Sequence, residues 1–539
     1  MMTTPEDLGA DGTRRRGRSF AQMLVEAATR WPHNEALVIA GIRWDYSELL
    51  RQAARHAVAL RRLGVRPDDH VGVLLPNSVE FVAAFFGTSM IGATIVPFNT
   101  RFKADELAYV IADSAPRVIV TTDAINDYVD LPELLLSASA ISASTYAAPT
   151  ADAPALVALG STEYAGVIGE AEYFDAADAA ADLPATPARY SAVVYTSGTT
   201  SRPRGALLTP AAFEHWSRCG ALWEITSEDR FWDPCPLFHI AAIGPLVWTI
   251  DSGAAFISDT YFDPGRALAQ IEAERATLLY PTYPPIMRSL MTHESLSTTD
   301  LSAVRAFLNV APPDDLRAMQ AAIPHAAEIS LYGSTEGGPV TMHSVADPEE
   351  YRMATNGRAT AGVTVAVFDA ATGRSLPVHE VGEIRYRGPN TFSGYLNDPE
   401  KTAASLDAQG WVHTGDGGWL DHDGTLHYVG RVNDMIKVGG ENVAPAEVEE
   451  VLGTHPAVKL CQAVGIPDER LVEVVAAFVE LVPGATAEES ELLAFARERM
   501  AKYKVPRVIR VVTEWPMSAT KIQRGKLREL LIAEGAEPA

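Results

Sequence analysis

From Ala36 onward, short β-branched runs alternate with amphipathic helical patterns, and this alternation limits the fold more than any other feature. "ALVIA" at Ala36 precedes "YSELLRQAARHAVALRRLG", whose apolar residues recur at helical spacing, with Ser47 as the expected N-cap. "HVGVLLP" at His70 reads as a strand, "SVEFVAAFFGTSMIG" as a helix, and "ATIVPFN" and "RVIVTT" (from Arg117) as strands. A chain that alternates in this way builds a parallel sheet with helices on its faces. A second alternating region runs from about Arg189 to Pro348. From Ala361 the pattern changes to short strands and turns, "VTVAVFDAATG", "GEIRYRG" and "GTLHYVGR", which predict a smaller β-rich unit. The last hundred or so residues carry a helix at "PAEVEEVLG", strands at "VKLCQAVGI" and "VEVVAAFVEL", a helix at "AEESELLAFARERM" and a strand at "VPRVIRVV", a separate α+β domain. The Ala-, Ser-, Asp- and Pro-rich stretch around Ala138 to Ala188 reads as a variable surface segment. At 539 residues the chain exceeds one core, and roughly three or four domain-sized units are expected.

Charge and cysteine content narrow the class. The formal charge of −25 argues against nucleic acid as a main partner, although a local basic pocket can still bind an anion. Cys219, Cys235 and Cys461 are far apart and lack metal spacing, so neither a disulfide framework nor a zinc site is expected, and a reducing cytoplasm fits. No apolar run reaches the ~18 residues that span a bilayer. Residues 1–18, with "TRRRGRSF", read as a flexible tail and not as an export signal.

One loop carries chemistry. "VVYTSGTTSRPRGALLTP", Val193 to Pro210, leaves a buried strand and enters a run of hydroxyls, glycines and arginines. Gly198 and Gly205 permit unusual backbone angles, Thr196, Ser197, Thr199, Thr200 and Ser201 are uncharged donors, and Arg202 and Arg204 add cations. Backbone N–H groups, hydroxyls and a cation together suit a polyphosphate. The string is not a Walker A loop.

Five further strings follow in order: "PLFHI" (Pro236–Ile240), "LYGSTEGG" (Leu331–Gly338), "GWVHTGDGGWLDHDG" (Gly410–Gly424), "GRVNDMIKVGGENVAPAEVEEVL" (Gly430–Leu452) and "PMSATKIQR" (Pro516–Arg524). With the loop they resemble the adenylate-forming superfamily of acyl-CoA and aryl-CoA ligases, adenylation domains and beetle luciferases, over nearly the whole chain. The resemblance implies an α/β fold. A large N-terminal domain of two α/β subdomains plus a β-rich subdomain, residues 19–432, would be followed by a small mobile α+β domain, 433–539. It implies a ligase that attacks the α-phosphorus of ATP with a carboxylate, giving acyl-AMP, and then transfers the acyl group to coenzyme A.

The same resemblance assigns roles. Thr196, Ser197, Gly198, Thr199, Thr200 and Arg204 would hold the β- and γ-phosphates. Glu336 would hold Mg²⁺, Thr335 would contact the α-phosphate, and Tyr332, beside Gly333, would stack on adenine. Asp416 would accept the ribose hydroxyls, with Arg431 reaching ribose or phosphate. Lys521 would bridge carboxylate and α-phosphate in the first step. The C-terminal domain would turn about Asn433, after which Gly439 and Gly440 line the pantetheine tunnel. His239, Trp248, Asn309 and Val310 would border the acyl pocket.

Several positions depart from the family pattern. Ser201 stands for a glycine, Arg204 for a lysine, and Asn433 for an acidic or lysine hinge residue; no glycine precedes Lys521, and Asn309–Val310 replace two glycines. The leading expectation is an ATP-dependent acyl-CoA ligase for a hydrophobic or aromatic carboxylic acid, in the cytoplasm and without a membrane span. The alternative is a partial-reaction enzyme. It would either pass acyl-AMP to a carrier protein or second ligase, or accept a preformed acyl-adenylate. A homodimer is an assembly the sequence leaves open.

Overall fold

The computed structural model describes residues 17–124, 129–146, 153–160, 163–175, 188–196, 202–434, 436–438, 441–468, 471–518 and 521–534. The chain divides into two compact units, Met1–Val365 with Tyr386–Val412, and Ala366–Arg385 with His413–Ala539. The boundary read from the sequence, at Asn433, falls inside the second of these.

Two seven-stranded sheets dominate the first unit. One runs Ile168–Gly169, Ala155–Leu159, Val118–Thr122, His70–Leu74, Thr94–Pro97, Ala192–Thr196 and Arg204–Leu208. It is parallel until its last pair, where Ala192–Thr196 meets Arg204–Leu208 antiparallel across the serine- and threonine-rich loop. The other runs Ala327–Ile329, Ala306–Asn309, Leu278–Thr282, Arg230–Trp232, Ala255–Ser258, Glu35–Ile39 and Ile42–Asp45, again parallel except at one edge. Helix Val79–Met90 is buried on every side except at Glu80. Such an all-round apolar helix belongs between layers. Asn77 ties the sheets together. Its Nδ2 donates to the Cys235 carbonyl (2.9 Å) and to Ser258 Oγ (3.1 Å), and its Oδ1 accepts from the Leu237 N–H (2.7 Å).

Three local expectations change. Helix Tyr46–Arg62 is capped by Asp45, whose carboxylate accepts from the Glu48 N–H at 2.7 Å, and Ser47 lies inside its first turn. The stretch expected at the surface after Ala138 contains the strand Ala155–Leu159, which pairs with Val118–Thr122. Small and β-branched residues let it lie in the sheet, and the sequence looked variable because Ala and Pro flank it. Arg18, placed in the tail, is anchored: it donates to Asp251 Oδ1 (2.6 Å), Glu214 Oε2 (2.7 Å) and Glu26 Oε2 (2.8 Å).

Most residues of a four-stranded sheet, Thr364–Phe368, Gly382–Arg387, Val412–Leu420 and Leu426–Arg431, belong to the second unit. A five-stranded sheet follows, in which Val458–Asp468 and Val472–Leu481 form a long antiparallel ribbon and Val508–Val511 adds a parallel strand. Helices Pro445–Gly453 and Glu489–Arg499 cover one apolar cluster around Val448, Leu452, Ala463 and Leu492. Helix Arg524–Ala533 covers another through Leu527 and Leu531.

Candidate functional site

In the first unit the site forms around one turn. Strands Leu331–Ser334 and Gly338–Met342 pair antiparallel and carry Tyr332 and Gly333 into the turn Thr335–Gly337. Tyr332 is 7% exposed. A Cβ on Gly333 would lie 2.1 Å from the Gly338 carbonyl oxygen, so only glycine fits there. Gly338 has φ +55°, and a Cβ on it would lie 2.0 Å from the Trp216 indole. The Gly337 carbonyl accepts from Trp216 Nε1 (3.1 Å) and Asn390 Nδ2 (2.9 Å). The turn is therefore clamped from beneath, which fixes where Glu336 emerges.

Glu336 is half-buried, and its Oε1 accepts from the Tyr395 phenol at 2.7 Å. Burial, and then the Glu336 charge, push the Tyr395 phenol well above its usual range, so it remains a donor. The sequence reading missed Tyr395. Its segment lies beside the strand Arg204–Leu208: the Ser393 N–H donates to the Leu207 carbonyl (2.9 Å) and the Leu396 N–H to the Gly205 carbonyl (2.8 Å). No spacing in "SGYLN" announces this; only the fold brings the phenol to the carboxylate.

At the base of the loop, Thr196 and Arg204 face each other across the strand pair, and the Thr196 hydroxyl lies 3.5 Å from the Arg204 carbonyl. Arg204 Nε stands 3.5 Å from Asp398. Arg202 lies over the Tyr109 ring, 5.1 Å from its centroid. Gly205 is not a flexible loop residue. It sits in a strand where a Cβ would approach Val193 to 2.6 Å. Ser197, Gly198, Thr199, Thr200 and Ser201 lie outside the described residues.

The four residues assigned to an acyl pocket separate. His239 is half-buried at the N-terminal end of helix Ile240–Ser252, next to the Phe238 ring. Val310 is 40% exposed, and its N–H donates to the Thr282 carbonyl at 2.9 Å. Trp248 is 1% exposed and packs among Trp223, Phe231 and Tyr280. Its Nε1 donates to the Trp216 carbonyl at 2.5 Å, which makes it part of the support beneath the Glu336 turn. Asn309 is also fully buried, donating to Glu328 Oε1 at 3.0 Å. Burial is the main cause that raises the Glu328 carboxyl to about 8.

In the second unit, Asp416 lies in the strand Val412–Leu420, opposite Arg431 in the neighbouring strand. Arg431 Nε is 3.0 Å from Asp416 Oδ1, and its NH1 donates to the Thr414 carbonyl at 2.9 Å. Gly415 takes φ +68°, and its N–H donates to Glu383 Oε1 at 3.2 Å. A carboxylate held by a guanidinium on one side keeps acceptor capacity for a diol on the other. Asn433 lies in the single turn Val432–Asp434. Lys521 lies in a hairpin in which Met517–Ser518 pairs with Lys521–Ile522. Gly439 and Gly440 lie outside the described residues. Among the described residues no cluster of three or more His, Cys, Asp or Glu is arranged to hold a metal ion. Metal held by one carboxylate plus substrate oxygens is the arrangement that Mg²⁺ favours.

A family model described as "AMP-binding enzyme" matches residues 24–396, and one for the "AMP-binding enzyme C-terminal domain" matches 447–521. The chain is 34% identical over 526 residues to a 3-[(3aS,4S,7aS)-7a-methyl-1,5-dioxo-octahydro-1H-inden-4-yl]propanoyl:CoA ligase of Rhodococcus jostii, covering 94% of this chain and 97% of that protein. It is 35% identical over 525 residues to a feruloyl-CoA synthase of an Amycolatopsis species, covering 95% and 99%. Among solved structures, ATP-bound MatB from Rhodopseudomonas palustris matches with a TM-score of 0.82 at 28% identity, covering 95% and 99%.

Proposed function

The chain belongs to the AMP-binding enzyme family, and from that membership we propose how its own residues divide the reaction. It is an ATP-dependent, AMP-forming acid–thiol ligase that activates a hydrophobic or aromatic carboxylic acid as acyl-AMP and transfers the acyl group to coenzyme A. The observation that carries this is similarity over almost the whole chain to relatives whose names pair a ring-bearing acyl group with coenzyme A.

The first step brings a carboxylate to a polyphosphate, so its barrier is electrostatic. Glu336 is the residue proposed to hold Mg²⁺. It offers hard oxygen, it is fixed by the clamped turn, and one of its oxygens is oriented by Tyr395. Bound there, the ion would offset phosphate charge. Thr196 and Arg204, at the mouth of the loop, would position the β- and γ-phosphates, and Thr335 the α-phosphate. Asp416, steadied by Arg431, would take the ribose diol. Lys521 would deliver a point charge where carboxylate and α-phosphate meet. The second step would follow rotation at Asn433, with coenzyme A entering along Gly439 and Gly440. His239, Trp248, Asn309 and Val310 would border the acyl group, with Val310 its most exposed member.

Cys219, Cys235 and Cys461 are free and buried. Among the described residues no helix is long and apolar enough to cross a membrane. We place the enzyme in the cytoplasm, where its substrates ATP and coenzyme A are found.

The test is pyrophosphate release against a panel of aromatic and alicyclic acids, with and without coenzyme A, reading acyl-AMP and acyl-CoA by mass. Both products from one acid are expected. Accumulation of acyl-AMP unaffected by coenzyme A would instead assign the acyl group to a carrier phosphopantetheine or a second ligase.

A further inference from the structure

Arg524 lies among the cations of the C-terminal segment, but it is not a solvated charge. Its NH2 donates to both oxygens of Glu449, at 2.8 and 2.9 Å. Its Nε donates to Gln462 Oε1 at 3.1 Å, and its NH1 to Asp434 Oδ2 at 3.4 Å. Glu449 sits on helix Pro445–Gly453 and also accepts from the Ala463 N–H at 2.8 Å. One guanidinium nitrogen bridges both carboxylate oxygens while the other two nitrogens bond to Gln462 and Asp434, so the planar group is fixed in orientation as well as distance. Burial raises the Glu449 carboxyl while the neighbouring Arg524 opposes that rise, so each group relies on the other.

Two segments meet at this clamp. Arg524 opens the helix Arg524–Ala533 directly after the Lys521 hairpin, and the Gln523 N–H closes the hairpin's base on the Pro516 carbonyl at 2.8 Å. Asp434 ends the turn Val432–Asp434. Upstream of that turn, Arg431 is held by Asp416 and the Thr414 carbonyl. An ion pair therefore stands on each side of Val432 and Asn433.

We infer that Arg524 is a positioning residue. By tying both Asp434 and the root of the Lys521 hairpin to Glu449, it makes the two travel as one body and confines rotation to Val432 and Asn433. The inference rests on the reading of Lys521 as the lysine of the first step. Arg524 acts through that lysine and touches no substrate itself. The nearby Arg528 is occupied separately, by the Gly465 carbonyl (2.8 Å) and Glu473 (3.2 Å), and does not share this duty.

The test uses the full chain and separates the half-reactions. Adenylation is read by acid-dependent exchange of pyrophosphate into ATP, and thioester formation from synthetic acyl-adenylate and coenzyme A. For Arg524→Lys the expected result is a 10- to 100-fold lower kcat for adenylation (roughly, the cost of a small misplacement) with the KM for ATP nearly unchanged. Thioester formation stays within about three-fold of wild type. Asp434→Asn, at a partly exposed position where folding is not at stake, shows a smaller loss with the same split. Pairing Arg524→Glu with Glu449→Arg recovers part of the rate. Equal losses in both half-reactions would reduce Arg524 to a structural role and overturn the inference. So would unchanged adenylation in Arg524→Lys when Lys521→Ala abolishes it. If Lys521→Ala itself adenylates normally, the reading of the lysine fails first, and the inference falls with it.

Discussion

The Tyr395 phenol donates to Oε1 of Glu336 at 2.7 Å, across 59 residues of sequence. Because the backbone of Tyr395 lies against Ala206, the carboxylate is oriented from the strand that leaves the phosphate loop. One hydrogen bond thus joins the proposed metal position to the proposed phosphate position.

Removing that phenol frees the carboxylate without deleting it. Tyr395→Phe is expected to raise the Mg²⁺ concentration giving half-maximal adenylation and to lower the rate about 10-fold, in keeping with a hydrogen bond to a charged group worth about 1.5–3 kcal/mol. Thioester formation from preformed acyl-AMP serves as the control and should not move. An unchanged Mg²⁺ profile would remove Tyr395 from the site.

Gly338→Ala combines a left-handed backbone with a collision against Trp216. It is expected to cost about 3 kcal/mol or more in urea unfolding. Gly424→Ala has a similar φ of +80° but nothing within 4 Å of the new Cβ. It should cost only about 1 kcal/mol. Equal losses would mean that the indole yields and the turn is not clamped.

Glu328 gives a pH prediction with a definite sign. Its folded-state value, about 8, lies above the ordinary 4.5, so between those values the folded chain holds a proton the unfolded chain has released. Stability therefore falls as pH rises through that window, by up to about 1.4 kcal/mol per unit. Glu328→Gln should match wild type near pH 4.5 and be progressively more stable towards pH 8, read by thermal melting across pH. A difference that does not depend on pH would show that Glu328 is ionised in the fold.

Asp416→Asn leaves the strand intact but takes away the charge paired with Arg431. The expected effect is a rise in the KM for ATP of about 10-fold or more, with the KM for the acid unchanged, as steady-state kinetics would show. A rise in the acid KM alone would place Asp416 elsewhere in the reaction.

The alternation of strands and helices was legible because burial imposes periodicity, and nearly every quoted run became the element it suggested. The exceptions have separate causes. Asp45 displaced Ser47 as the cap because its carboxylate satisfies the Glu48 N–H of a helix that starts two residues earlier than expected. Ala155–Leu159 was hidden because alanine-rich strands buried in a sheet show no alternation. Among the candidate residues, Glu336 and Asp416 stood out through their glycine-flanked strings. Tyr395, Trp216 and Arg524 did not, since what each does depends on a partner more than fifty residues away. An indole in an apolar run, such as Trp248, looks alike whether it walls a pocket or carries a core.

The stack Trp248–Trp216–Gly337 also bears on how such an enzyme can diversify. Each member is held by the next, and glycine is obligatory at the top, so drift there is closed off. Val310, 40% exposed and hydrogen-bonded through its backbone, has room to vary. A lineage built on this scaffold would keep its nucleotide chemistry constant and acquire new acids by changing the ends of strands, one exposed side chain at a time.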